Sequence, residues 1–242
     1  MKRKEFIKLS ALTGITLGML PQLAFQSRTI SYEELIGKGN PTLFGNGFKL
    51  QKEAHDAFIK MKEEALKSDI SIKIVSSYRN FDHQNRIWER KYKSFTSTGL
   101  SPQDSIKKII EYSTIPGTSR HHWATDIDII DAKPKQPKNV LQAQHFDTNG
   151  CYGKLKTWMD TNASDFGFYL VYTNAIDRKG FKYEPWHYSF KPLSSLFLSE
   201  YKQLNISEIL QKEQLLGNEH FSEEFLSRYY NENILDINPE LL

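Results

Sequence analysis

The sequence predicts an α+β domain with a small, mainly antiparallel sheet and helices packed on it. Two observations carry this. Helical and strand periodicities both occur, and they mix without the steady strand–helix–strand alternation of a parallel sheet. The strand-like runs are short and alternate polar with apolar residues, as antiparallel strands with one core face do. A chain of 242 residues, 39% hydrophobic and 25% charged, suits one well-buried globular domain rather than two large ones.

The elements follow in order. Lys2, Arg3, Lys4 and Lys8 form a basic start, and an apolar run broken by small residues spans Leu9–Leu20. That pattern reads as a secretion signal over residues 1–25. It falls short of the roughly 20 apolar residues of a permanent membrane anchor. The string Arg3–Lys8 is similar to a twin-arginine export signal with lysine in place of the second arginine. Residues 26–44 are Gly- and Pro-containing and read as an irregular lead-in. Leu50, Ala54, Ala57, Phe58, Met61 and Ala65 mark one face of a helix. Ile70, Ile72 and Ile74 alternate with Ser71 and Lys73 as a strand, closed by Ser76-Ser77-Tyr78-Arg79. Asp82 is the expected cap of a second helix carrying Ile87, Trp88 and Tyr92. A third helix is expected over Ile106–Tyr112, and Thr125–Ile130 as a strand. A helix over Tyr152–Asn162 follows, then strands at Phe168–Tyr172 and Trp186–Phe190. The segment 193–242 reads as a helical extension with breaks at Asn205, Gly217 and Asn231.

Composition excludes several functions. The net charge of +3 comes from the first 25 residues, which hold four bases and one acid. The remainder is near neutral, so nucleic-acid binding has no electrostatic footing. Cys151 is the single cysteine, so neither an internal disulfide nor a cysteine-based zinc site is available. No Gly-rich phosphate loop and no GxSxG elbow occur, which removes nucleotide binding and serine hydrolysis.

Three strings hold the chemistry: Ser77-Tyr78-Arg79, Ser119 through Asp128, and Glu184-Pro185-Trp186-His187. On a strand after Pro185, Trp186, Tyr188 and Phe190 share the core face, and His187 and Ser189 share the other. Pro185 keeps Glu184 out of a helix and puts it in the preceding bend. Asp126 and Asp128 share one strand face, opposite Ile127 and Ile129. Two like charges about 7 Å apart there are more comfortable beside a cation. The alternative for both strings is a solvated outer face. A zinc enzyme needs three His, Asp or Glu ligands, an open position and a carboxylate to take a proton. His121, Asp128, His187 and Glu184 are residues of those types.

The pattern S-x-H-x6-D followed by E-x-W-H resembles the VanY-type D-alanyl-D-alanine carboxypeptidases, relatives of the D-alanyl-D-alanine dipeptidases and the hedgehog zinc fold. The likeness covers residues 45–192 and includes Ser76–Arg79, with Gln84 after it. It implies one zinc per chain held by His121, Asp128 and His187. It implies Glu184 as general base and Arg79 as the partner of the developing oxyanion. Ser119, Tyr78 and Gln84 are the implied contacts to the peptide terminus. The expected substrate is a peptidoglycan stem peptide, met outside the cytoplasm by an exported, monomeric enzyme of the periplasm or cell envelope. An L,D-carboxypeptidase or endopeptidase of the same fold is the alternative, and a non-catalytic wall-binding module a weaker one. One departure is visible: Ala124 stands where relatives carry glycine. His122 is expected beside Trp123 or on substrate, and His55, His83, His145 and His220 on the surface.

Overall fold

A computed structural model describes residues 29–242; the expected secretion signal at 1–25 lies outside the described residues. The lead-in is less irregular than its composition suggests. Tyr32–Leu35 forms a helical turn, α1, closed by a reciprocal capping box between Ser31 and Glu34 at 3.2 Å in both directions. The Ser-x-x-Glu signature for it was present in the sequence. Leu35 is buried, and its carbonyl accepts from Trp123 Nε1 at 3.1 Å.

Helix α2 (Lys52–Lys67) buries Ala54, Phe58, Met61 and Ala65, the stripe its spacing requires. Strand β1 runs over Ile72–Ser76, later than the alternation suggests. Asp69 takes φ 62°, so the chain is still turning just before Ile70. Helix α3 (Phe81–Ser97) is capped by Asn80, whose side chain accepts from the His83 amide at 2.9 Å. Asp82 is therefore not the cap; it sits in the first turn, where its charge suits the helix dipole. Helix α4 spans Pro102–Ile109 rather than 106–112, because Ser101 caps it and Pro102 is preorganised to start it.

Strands β2 (Asp126–Asp131), β3 (Phe168–Leu170) and β4 (His187–Phe190) complete an antiparallel sheet in the order β1-β2-β4-β3. Trp186 lies in the turn before β4 rather than on it. Every residue of β2 and β4 is buried, so the aspartate face of β2 is covered and not solvated. One core packs Ile127, Ile129, Trp186, Tyr188 and Phe190 against α2 and helix α5 (Gly153–Asn162).

A second core holds Trp88 of α3, Ile106 of α4 and Trp123. The C-terminal segment supplies much of the rest of it. Helices α6 (Lys191–Tyr201), α7 (Ile206–Lys212) and α8 (Glu223–Tyr229) bring Phe197, Tyr201, Leu210 and Tyr229 into the same cluster. Asn205 caps α7, and Gly217 turns with φ 89°. Asn231 does not break the chain: α8 runs on into a π turn at Tyr230–Ile234.

Ala124 follows a 3-10 turn at Arg120–Trp123, is fully buried, and adopts φ 56°, ψ 31°. An L residue there carries a cost of about 1 kcal/mol, which glycine avoids. Ala124→Val would add a branched side chain to that conformation with no room around it. We expect it to lower the unfolding free energy by at least about 2 kcal/mol in denaturant titration. Ala124→Gly should stay within about 1 kcal/mol of the parent, since relief of strain offsets the added freedom of the unfolded chain. A valine variant as stable as the parent would show that the backbone here is not fixed by its surroundings.

Candidate metal centre and catalytic cavity

Strand register assembles the site. In the β2–β4 pair, Asp128 stands opposite His187 and Asp126 opposite Ser189. Directly opposed residues project side by side on one face. The 3-10 turn delivers His121 to the same place, with Ser119 Oγ accepting from the His121 amide at 3.3 Å. His121 Nδ1 lies 2.7 Å from the Ser77 carbonyl. A carbonyl only accepts, so Nδ1 donates and Nε2 turns a free lone pair toward Asp128 Oδ2 at 3.5 Å.

His187 is held from both sides. Its Nε2 is 2.9 Å from Asp126 Oδ2, and its Nδ1 is 2.9 Å from Glu184 Oε2 and 3.9 Å from Asp128 Oδ1. One ligand atom each of His121, Asp128 and His187 falls within 4.8 Å of the other two. Donors about 2.0–2.1 Å from a tetrahedral zinc stand about 3.4 Å apart. His121 Nε2 and Asp128 Oδ1 are buried with no hydrogen-bond partner. Orphaned buried donors and acceptors are rare in native proteins. Two of them converging here, on a carboxylate and an imidazole, fit a divalent cation.

The electrostatics agree. Burial alone would pull His187 down, but Asp126, Glu184 and Asp128 outweigh it and push its pKa up to about 10. The three carboxylates that raise it surround the imidazole with negative charge, which favours a cation beside it. Burial raises Asp128, yet His121, His187 and Arg79 bring it to about 2. Burial raises Glu184 above the ordinary carboxylate value despite the opposing pull of His187. Burial also lowers His121, as the neutral ligand form requires.

Asp126 was read from the sequence only as a neighbour of Asp128. It lies instead behind the centre, as the partner of the ligand candidate His187. Its carboxylate meets Arg120 Nε at 3.0 Å and accepts from Ser189 Oγ at 2.6 Å and Thr125 Oγ1 at 2.8 Å. Arg120 Nη2 also donates to Ser189 Oγ at 2.7 Å. Arg120 and His187 together hold Asp126 ionised well below the usual range despite its burial. A carboxylate on the far nitrogen fixes the tautomer and orientation of a metal-binding imidazole.

A cavity of about 370 Å³ opens beside these groups, lined by Arg79, Lys91, Ser119, Tyr172, Glu184 and Trp186 among others. Arg79 is pinned by its backbone, its amide on the His121 carbonyl at 3.1 Å and its carbonyl on His122 Nδ1 at 2.6 Å. Its Nε is buried without a partner. His122 therefore neither packs beside Trp123 as its role nor reaches the cavity. It bridges Arg79 to the Gly117 amide at 3.2 Å, and burial lowers it to about 3. Gln84 and Tyr78 do not line the cavity. Gln84 is fully buried and donates to the Thr114 carbonyl at 2.9 Å, and the Tyr78 amide donates to the Lys49 carbonyl at 3.2 Å. Tyr172 and Lys91 were not singled out in the sequence. Lys91 had a signal: it falls seven residues after Gln84, on the edge of the same helical face.

Residues 47–193 match the sequence profile of the family described as VanY, D-alanyl-D-alanine carboxypeptidase. The chain belongs to the VanY family. This family is one of peptidases, and the match takes in all three ligand candidates, Glu184 and Arg79. An uncharacterized protein of Haemophilus influenzae is 30% identical over 105 residues, covering 43% of this chain and 80% of that protein. Two further relatives, from Bacillus subtilis and Enterococcus gallinarum, are each 26% identical, and the alignments span 54% and 55% of their lengths. Among solved structures, VanYB in complex with D-alanine-D-alanine superposes with a TM-score of 0.51 at 19% identity, covering 73% of this chain and 92% of that one. A vancomycin resistance D,D-pentapeptidase VanY in complex with Zn(II) gives 0.50 at 19% identity, covering 66% and 88%. These two likenesses establish the shared fold, a small antiparallel sheet with packed helices.

Proposed function

We propose that this VanY-family chain is a zinc-dependent carboxypeptidase that hydrolyses the C-terminal D-alanyl-D-alanine bond of peptidoglycan stem peptides. The observation that carries this reading is the convergence of two unpartnered buried ligand atoms, on His121 and Asp128, with His187 and Glu184. The D-alanine-D-alanine and Zn(II) held by VanY relatives support the choice of substrate and metal.

His121 Nε2, His187 Nδ1 and Asp128 would hold the ion. A zinc ion there supplies Lewis-acid polarisation of the scissile carbonyl and lowers the pKa of an adjacent water from 15.7 toward about 7. Glu184, raised by burial, takes that water's proton and returns it to the leaving amine. Arg79, with a buried unpartnered Nε, faces the oxygen on which negative charge develops. Of the implied substrate contacts, Ser119 lines the cavity wall. Such a substrate lies outside the cytoplasmic membrane, in keeping with an exported enzyme. No helix among the described residues is long and apolar enough to cross a membrane.

Mass spectrometry of products from a defined pentapeptide stem tests the reading. We expect loss of a single alanine, abolished by chelator and restored by added zinc. Loss of two alanines or an internal cut would name a different peptidase, and chelator-insensitive turnover would remove the metal from the mechanism.

A further inference from the structure

The catalytic cavity contains a lysine that forms no salt bridge with a carboxylate among the described residues. Lys91 sits on α3, three residues after the buried Trp88. Helical side chains lean toward the N-terminus, which carries this ammonium back along α3 toward Arg79 and onto the cavity wall. Its partner there is a neutral one, Ser113 Oγ at 2.7 Å, and Ser113 is itself buried. Lysines elsewhere, such as Lys93, Lys108 and Lys182, rest on carboxylates at 2.9 Å. No such ion pair is formed by Lys91 among the described residues. Lys91 is half-buried; an ammonium partly withdrawn from water onto a hydroxyl is poorly compensated, and burial accordingly pulls its pKa down.

Its position relative to the metal centre is informative. Lys91 lines the cavity together with Arg79 and Glu184, and it lies close enough to both to feel their charges. It therefore shares the space that the general base faces. Under the function proposed above, on which this step rests, Glu184 must reach the leaving amine, so that space receives the departing residue. In a terminal residue the α-carboxylate is one carbon beyond that amine. Arg79 is committed to the scissile carbonyl, which leaves this second charge without a substrate group to meet.

We propose that Lys91, held in place by Ser113, binds the free α-carboxylate of the substrate's terminal residue and thereby makes the enzyme an exopeptidase. An internal peptide bond offers no anion at that place, and the partly desolvated ammonium then disfavours it.

The test compares the zinc-loaded full chain on a stem pentapeptide and on its C-terminal amide. The parent should prefer the acid on the order of 100-fold in kcat/KM, the scale of a lost charged partner. Lys91→Met keeps the apolar stem. It should raise KM for the acid, leave the amide cleaved at least as well as by the parent, and erase most of the preference. Lys91→Arg should restore a large part of it. Calorimetric binding of the intact pentapeptide in the Glu184→Gln background should weaken by a similar factor when Lys91→Met is added. A Lys91→Met enzyme that keeps the acid preference, or loses kcat equally on both peptides, overturns the assignment while leaving the carboxypeptidase reading intact. A zinc-loaded parent that cleaves neither peptide overturns both.

Discussion

Glu184→Gln should abolish most turnover while the protein still binds one zinc ion. Glutamine keeps the size and one oxygen of the side chain, so the bend before β4 and the position opposite His187 Nδ1 are preserved. It cannot accept a proton from water or carry one to an amine. General acid–base groups of this kind contribute about 100- to 10 000-fold, and we expect kcat to fall within that range with KM little changed. Zinc content by metal analysis and the thermal midpoint should match the parent. The contrast matters because Glu184 is also a buried charge near the centre, and a purely electrostatic role for it predicts weaker metal binding instead. Unchanged kcat in Glu184→Gln, or loss of zinc with it, would refute the base assignment.

The candidate ligands His121, Asp128 and His187, which the structure brings together, were picked out in the sequence by two short motifs. Strand alternation put His187 opposite the aromatic face, and the motif singled out Asp128 over Asp126. What alternation could not supply was pairing. Nothing in the local spacing says that β2 and β4 are neighbours in a register that sets Asp128 against His187 and Asp126 against Ser189. The role of Asp126 depends on that register and on Arg120 folding back from the 3-10 turn, so it was invisible until the strands were paired. Gln84 and Tyr78 lie off the cavity wall. The motif implied them as substrate contacts, but α3 rotates Gln84 inward to hold the loop at Thr114. Lys91, one helical turn beyond Trp88, takes the place on the cavity wall. The C-terminal segment was readable as helices but not as a source of core, since burial of Phe197, Tyr201 and Tyr229 depends on α3, α4 and Trp123 being near.

His187→Ala and Asp126→Asn separate the ligand from the group that orients it. Removing His187 takes one of three donors from the centre. We expect zinc affinity, measured by chelator competition, to drop by more than the roughly 10- to 100-fold typical of losing an outer partner, with activity following the metal. In Asp126→Asn all three donors stay. The amide still fills the space and can accept from His187, but it no longer raises the imidazole's basicity with a full charge. Zinc affinity should then fall by about 10- to 100-fold. The same change leaves Arg120 buried without its ion-pair partner, since its contacts to Ser189 Oγ and the Trp123 ring carry no formal charge. Breaking one side of a buried ion pair costs about 3–5 kcal/mol, so apo Asp126→Asn should unfold at clearly lower denaturant than apo His187→Ala. The two variants are therefore expected in opposite order on the two measurements, His187→Ala worse for metal and Asp126→Asn worse for stability. Stoichiometric, parent-like zinc binding in His187→Ala would remove His187 from the ligand set. Parent-like stability in Asp126→Asn would mean that Arg120 finds another counterion and that the buried pair is not what fixes His187 in place.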